Sequence, residues 1–162
     1  MPSKLAYLDA PVLLSYVNDD KDRAPIVETI LEDGDKPGLR LFTSELSIVE
    51  VAFGITEQKQ QKLDADTEER INALWAPGTP INLVEYYRLI GEDAKELMRL
   101  AISKGWSLKP MDAIHLSTAR RMEVAEFFTY DDKLVKYAGD VGFKICEPYT
   151  DRPRLPLETP ES

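Results

Sequence analysis

Short apolar segments with the character of strands alternate with helical segments along the chain, and this alternation restricts the fold more than any other feature. The predicted strands are residues 5–8, 39–43, 81–84, 126–130 and 143–146. The longest helical pattern covers residues 87–104. Such alternation is typical of a parallel sheet with helices on both faces. We therefore predict an α/β fold, a three-layer α/β/α domain with a mainly parallel five-stranded sheet.

The length and the breaks in the pattern predict one domain and a tail. The chain has 162 residues, which is the size of one domain. Every predicted strand and helix falls within residues 1–149, whereas residues 150–162 contain three prolines and few apolar side chains. We therefore expect a single folded domain over residues 1–149 and a C-terminal tail over residues 150–162.

The composition predicts a cytoplasmic location. No segment approaches the roughly 20 apolar residues that a membrane-spanning helix needs. Residues 1–4 are not followed by an apolar signal core, because Asp9 comes too early. Cys146 is the only cysteine, which agrees with a reducing compartment.

The charge balance limits how this chain can meet nucleic acid. It has 20 basic and 29 acidic residues, a net charge of -9. This argues against a protein that grips nucleic acid by a general basic surface. It leaves nucleic acid open as a substrate, because acidic residues gathered in one site bind divalent cations that attract phosphate. One histidine and one cysteine are too few for a Cys/His zinc site.

Two aspartates follow predicted strands directly. Asp9 comes after the first strand and Asp131 after the fourth. Both positions lie at the carboxyl edge of the predicted sheet, where such sheets bind ligands. Each aspartate has an alternative role as the N-cap of the following helix. Asp132 is either an outer ligand or, in the interpretation we favour, the start of that helix.

Glu50 lies on an apolar face of a predicted helix. This helix covers about residues 44–55, with Ser44 as its cap. At helical spacing Glu50 shares one face with apolar side chains, those of Leu46, Val49 and Phe53. A carboxylate in an apolar stripe is costly unless it is paired, neutral or bound to metal. The alternative to a metal is an ion pair with a nearby arginine or lysine.

Asp112 lies near the start of a helix predicted at residues 110–121, where the helix dipole favours an acid. Its neighbours one turn on, His115 and Leu116, indicate that it also faces inward. His115 is the only histidine. It is either a general base or, as we favour, a packed side chain one turn beyond Asp112.

The combination of these acids points to metal chemistry. Four carboxylates in one cleft repel one another, so the arrangement makes sense only with bound cations. Hard oxygen ligands select Mg²⁺ or Mn²⁺. A metal site of this kind, with bound water, is suited to the hydrolysis of phosphodiester bonds.

The segments that carry the four acids resemble the four motifs of PIN-domain nucleases. They are AYLDA at residues 6–10, TSELSIVEV at 43–51, MDAIHLSTA at 111–119 and FTYDDKL at 128–134. The third is the most specific match. The resemblance covers about residues 5–145, and in size and order the chain is most similar to the VapC-type toxins of toxin–antitoxin pairs.

The resemblance implies a metal-dependent endoribonuclease that hydrolyses RNA with Mg²⁺ or Mn²⁺. It assigns the catalytic and metal-holding roles to the motif acids Asp9, Glu50, Asp112 and Asp131. It also implies a supporting hydroxyl at Thr129, a homodimer and an antitoxin partner.

One position departs from the family pattern. The family usually has Ser, Thr or Asn two places after the first aspartate, and this chain has Pro11. Proline offers neither a polar side chain nor an N–H group. The alternative function is therefore a catalytically weak or inactive PIN-like module that binds proteins. A phosphoacceptor receiver domain is a weaker alternative, because Asp9 has no acidic neighbour.

Overall fold

The sheet has five strands, all parallel, as the alternation predicts. The structure is a computed structural model that describes residues 2–59 and 64–151, with residues 55–59 as backbone alone. The strands are Lys4–Leu8 (β1), Leu39–Ser44 (β2), Ile81–Val84 (β3), Glu126–Phe128 (β4) and Lys144–Cys146 (β5). Their order is β3-β2-β1-β4-β5. The chain therefore builds outward from β1 on both sides, and the switch point lies between β1 and β4.

Helices cover both faces of the sheet. They are Ala10–Val17 (α1), Ala24–Gly34 (α2), Ser47–Lys59 (α3), Ala65–Trp75 (α4), Arg88–Ser103 (α5), Pro110–Arg121 (α6) and Ala138–Val141 (α7), with a 3-10 helix at Asp132–Tyr137. Buried side chains of α1 to α4 form one core cluster, and those of α5 to α7 form the other. Neighbours along a strand divide between the two, since Tyr7 and Phe127 belong to the second cluster and Leu8 and Phe128 to the first. The predicted three-layer α/β/α architecture is confirmed.

The prediction that Ser44 caps the following helix is wrong. Ser44 is the last residue of β2 and pairs with Val84 of β3. Its backbone N–H donates to the Tyr7 hydroxyl at 2.9 Å, and its own hydroxyl accepts from the N–H of Leu46. The sheet therefore extends one residue further than predicted, and α3 begins at Ser47.

The fourth strand is shorter than predicted. It ends at Phe128, so Thr129 and Tyr130 lie beyond the ladder. The segment after Asp131 forms a 3-10 helix before the single turn of α7, which ends at Gly142 with a φ of 84°. Glycine adopts this left-handed conformation without steric cost.

Two further predictions concern the chain ends and membranes. Residues 152–162, which make up most of the predicted tail, lie outside the described residues, so the domain boundary after residue 149 stays a prediction. None of the helices in the described part of the chain has the length and apolar character that crossing a membrane requires.

Candidate active site

Asp9 is fixed at the switch point by two hydrogen bonds. It follows β1 and caps α1, and its Oδ1 accepts from the N–H of Ala10 at 3.0 Å. Its Oδ2 accepts from the hydroxyl of Thr129 at 2.9 Å. The side chain is almost fully buried. Burial raises the pKa of Asp9, while the nearby His115 opposes that rise. The capping role and the position at the carboxyl edge of the sheet are thus both realised.

Thr129 connects the two aspartates that follow strands. Its hydroxyl donates to Asp9 and accepts from the N–H of Asp131 at 3.1 Å. The carboxylate of Asp131 accepts from the N–H of Lys133 at 3.0 Å and so caps the 3-10 helix. Asp132, in the first turn of that helix, is exposed. A single hydroxyl therefore sets the loop after β4 against the loop after β1.

Glu50 meets a histidine, and no arginine or lysine in the described part of the chain pairs with it, so the alternative of an ion pair with arginine or lysine is not realised there. Its Oε1 is hydrogen-bonded to Nε2 of His115, which α6 places against the first turn of α3. The predicted apolar stripe around Glu50 is also not buried. Val49 and Phe53 are 68% and 64% exposed. The helix turns this face outward because Val51, on the opposite side, fills the core.

His115 is buried at the centre of the acidic site. This confirms the packed position that we favoured for it. Its Nδ1 is 2.6 Å from the Tyr7 hydroxyl, and its Nε2 is 3.9 Å from Oδ1 of Asp9. Burial acts to lower the pKa of His115, but the hydrogen bond to Glu50 and the charge of Asp9 raise it above its usual value.

Tyr7 contributes to the site, although the sequence pattern predicts it only as an apolar residue of β1. Tyr7 is completely buried, and its hydroxyl contacts both His115 and the backbone of Ser44. A buried tyrosine needs a partner for its hydroxyl. A tyrosine two residues before the strand-end aspartate was the available signal.

Asp112 is the least satisfied of the four acids. It lies half-buried in the first turn of α6, and no described residue forms a hydrogen bond or ion pair with its carboxylate. Its pKa is raised to about 6, first by burial and then by the charges of Asp9, Asp131 and Glu50. The charges of all three acids reach Asp112, which places the four predicted acids around the switch-point crevice.

The donor set of this cleft fits a hard divalent cation. All four side chains offer carboxylate oxygens, the ligands that Mg²⁺ and Mn²⁺ prefer. Burial, together with the charges of the neighbouring acids, raises the pKa of Asp112, and a bound cation would favour its ionised form. Within residues 2–59 and 64–151, no three His, Cys, Asp or Glu side chains are spaced to hold a metal ion as they stand.

Comparison with known families identifies the domain. A family model for the PIN domain matches residues 6–140, the stretch that contains all four acids. The chain belongs to the PIN domain family. Members of this family are nucleases that generally depend on divalent metal ions.

This PIN domain is similar in fold to several solved toxin structures. One is VapBC2 from Rickettsia felis bound to a promoter DNA fragment, with a TM-score of 0.68 and 14% identity over 90% of this chain and 99% of that one. Another is VapC20 from Mycobacterium tuberculosis, a Sarcin-Ricin loop cleaving toxin, with a TM-score of 0.61 and 15% identity over 85% and 95%. A toxin–antitoxin complex from Klebsiella pneumoniae gives a TM-score of 0.58 and 22% identity over 89% and 98%. No curated protein matches the chain in sequence.

The first prediction tests the electrostatic coupling of Asp112. In EDTA at pH 7 to 8, Asp112→Asn should raise the free energy of unfolding by on the order of 1 kcal/mol, a figure discounted for partial solvent screening. The folded-state pKa of about 6 lies above the ordinary 3.8, so the repulsion grows as pH rises through this window. The gain should therefore be largest above about pH 6 and vanish below about pH 4. Thermal melts across this pH range provide the measurement.

The matched control is Asp66→Asn, which changes an exposed acid in the first turn of α4. It should cost a few tenths of a kcal/mol through the helix dipole alone. Mg²⁺ should stabilise the wild type more than Asp112→Asn. If Asp112→Asn behaves like Asp66→Asn with and without Mg²⁺, the carboxylates are not coupled.

Proposed function

We propose that this chain is a metal-dependent endoribonuclease and the toxin of a toxin–antitoxin pair. The observation that supports the proposal is that the four motif acids of a PIN domain lie near enough at the switch point to influence one another, namely Asp9, Glu50, Asp112 and Asp131. The same residues are the proposed ligands of Mg²⁺ or Mn²⁺.

The proposed reaction is the hydrolysis of an RNA phosphodiester bond by in-line attack of water. When bound, a divalent cation supplies charge neutralisation at the phosphate and activation of water. Asp9 offers a carboxylate that Thr129 and the backbone of Ala10 hold in one orientation. Asp112 offers a carboxylate without a competing partner among the described residues. The Thr129 hydroxyl is engaged with Asp9 and Asp131 and is not offered to the phosphate as a nucleophile. Attack by water forms no covalent intermediate on the chain.

RNA is the proposed substrate despite the acidic character of the chain. Lys109 and Lys133 are exposed and lie next to the motif acids in sequence, since one directly precedes α6 and the other follows Asp131 by two positions. Lysines in these places suit the phosphates on either side of the bond that is cut. The fold shared with VapC20, a Sarcin-Ricin loop cleaving toxin, supports RNA as the substrate.

Two protein partners belong to this proposal. The similar structures include toxin–antitoxin complexes, which supports an antitoxin for this chain. The acidic cleft suits a basic antitoxin segment, with an arginine placed among the carboxylates. A second copy of the chain is the other proposed partner. The exposed apolar side chains Val49 and Phe53 on α3, and Ile102 on α5, favour such a homodimer.

The second prediction tests the nuclease. The purified chain should cleave RNA with Mg²⁺ or Mn²⁺, and Asp9→Asn or Asp112→Asn should reduce the rate by at least about 100-fold, because each removes a carboxylate of the metal site. Gel assays of defined RNAs measure the rate, and Asp66→Asn serves as the control that keeps wild-type activity. Cleavage that persists in excess EDTA, or in both aspartate variants, would refute the metal mechanism.

The third prediction concerns Pro11, the feature that favours the alternative of a weak or inactive binding module. Pro11 is exposed, follows the cap Asp9 by two residues and has no polar side-chain atom. Pro11→Ser should lower the Mg²⁺ concentration that gives half-maximal cleavage, because a hydroxyl near Asp9 can support the metal site. The measurement is a Mg²⁺ titration of the cleavage rate. An unchanged titration curve would show that other groups already fill this role.

The fourth prediction concerns the antitoxin. A neighbouring reading frame should encode a small protein with a basic C-terminal segment, and co-expression should suppress cleavage because that segment neutralises the cleft. Replacing the arginines of the segment with glutamine should restore RNA cleavage in the mixture. If no neighbouring reading frame encodes an inhibitor of the cleavage, that result would count against the toxin assignment.

A further inference from the structure

We propose that His115 is a positioning residue that sets the orientation of the Glu50 carboxylate, and that Tyr7 in turn fixes the His115 ring. The inference rests on the proposed function, because the direction of Glu50 matters only if the cleft binds a divalent cation. It goes beyond that function by assigning roles to two residues outside the four acids.

The His115 ring is held in a fixed position. The side chain is 1% exposed, and its Nδ1 is 2.6 Å from the Tyr7 hydroxyl. Tyr7 is itself held by a stacked contact with Phe127 and by the N–H of Ser44, which donates to its hydroxyl oxygen at 2.9 Å. The rings of Tyr7 and His115 meet edge to face at 5.8 Å. The imidazole is therefore held on two strands of the sheet, β1 and β2, through one phenol.

The hydrogen-bond partners of Tyr7 and His115 determine where the hydroxyl and ring hydrogens lie. Because the Tyr7 oxygen accepts from Ser44, its own hydrogen is available for Nδ1 of His115. The neutral ring then carries its hydrogen on Nε2, which faces Glu50. A ring that carries both hydrogens keeps the same donor at Nε2. The donor that meets Glu50 therefore does not depend on the charge of the histidine.

Apart from His115, little in the described structure holds the Glu50 side chain. Its side chain is 30% exposed, and its helix neighbours Val49 and Phe53 face outward. Within the described residues, His115 is the one side chain that bonds its carboxylate. A glutamate with free rotamers would lose conformational entropy on binding a cation. Carboxylates that bind metals are in turn hydrogen-bonded, and losing such a partner typically costs 10–100-fold in metal affinity.

The test measures Mn²⁺ binding to the free protein by titration calorimetry, without RNA. His115→Gln can place an amide N–H near the position of Nε2 and so keep a donor for Glu50. His115→Asn reaches only the position of Nδ1 and loses that donor. Tyr7→Phe keeps the ring that stacks on Phe127 but removes the hydroxyl. The control is Thr118→Val, which removes a buried hydroxyl on the same helix; among the described residues, this hydroxyl bonds the carbonyl of Ile114 one turn earlier and nothing else.

We expect His115→Asn to weaken Mn²⁺ binding by about 10–100-fold. His115→Gln should stay within a few-fold of the wild type, Tyr7→Phe should weaken binding, and Thr118→Val should leave it unchanged. Each dissociation constant is measured well below the melting temperature of its variant. A purely structural His115 would lower the melting temperature in His115→Asn and leave the Mn²⁺ affinity as it is, and that result overturns the proposal.

Two further outcomes are decisive. If the wild type itself does not bind Mn²⁺, the proposed function fails and this inference fails with it. If the wild type binds Mn²⁺ and the His115 variants bind equally well, only the role of His115 fails. Should His115→Asn not fold, Tyr7→Phe decides, because an unchanged Mn²⁺ affinity in that variant would refute the positioning chain.

Discussion

The burial of neighbouring carboxylates at the switch point is the constraint on which the rest of this site depends. Asp9 is held almost without solvent, and Asp112 lies half-buried beside it without a hydrogen-bond partner among the described residues. Burial first, and the charges of the neighbouring acids after it, raise the pKa of both groups. A fold that keeps such charges together has to restrain them through the surrounding hydrogen bonds and through cations.

The restraint comes from the ends of the central strands. β1 and β4 lie side by side and parallel, and the next strand along the chain, β2 or β5, lies on opposite sides of this pair. Thr129 after β4 reaches Asp9 after β1, and Tyr7 on β1 reaches His115 on α6. Both bonds connect residues more than a hundred positions apart in sequence. The site is thus built by the sheet, and it should be as rigid as the sheet that carries it.

The amino-acid sequence predicted a large part of this. The alternation of strand-like and helical segments predicted the parallel sheet. The acidic residues that directly follow two strands predicted Asp9 and Asp131 at its carboxyl edge. Helix boundaries were less reliable. Ser44 has the chemistry of a cap, yet it belongs to β2, because pairing with Val84 and a bond to Tyr7 outweigh a local capping preference. Glu50 was marked by an apolar stripe that proved to be exposed.

Local sequence patterns thus determined the type and order of the helices and strands and the residues at their ends. They could do so because hydrophobic periodicity and turn chemistry act over a few residues. The tertiary structure alone decided the partners. The sequence places Glu50 and His115 on separate helices, 65 residues apart. Nothing in the sequence of either helix indicates that the two side chains are in contact. Their contact exists because β2 and α6 converge on the same edge of the sheet. The same packing turned Tyr7 from an ordinary core residue into the partner of the only histidine. Such pairings depend on the register of strands and the packing of helices, which only the folded chain specifies.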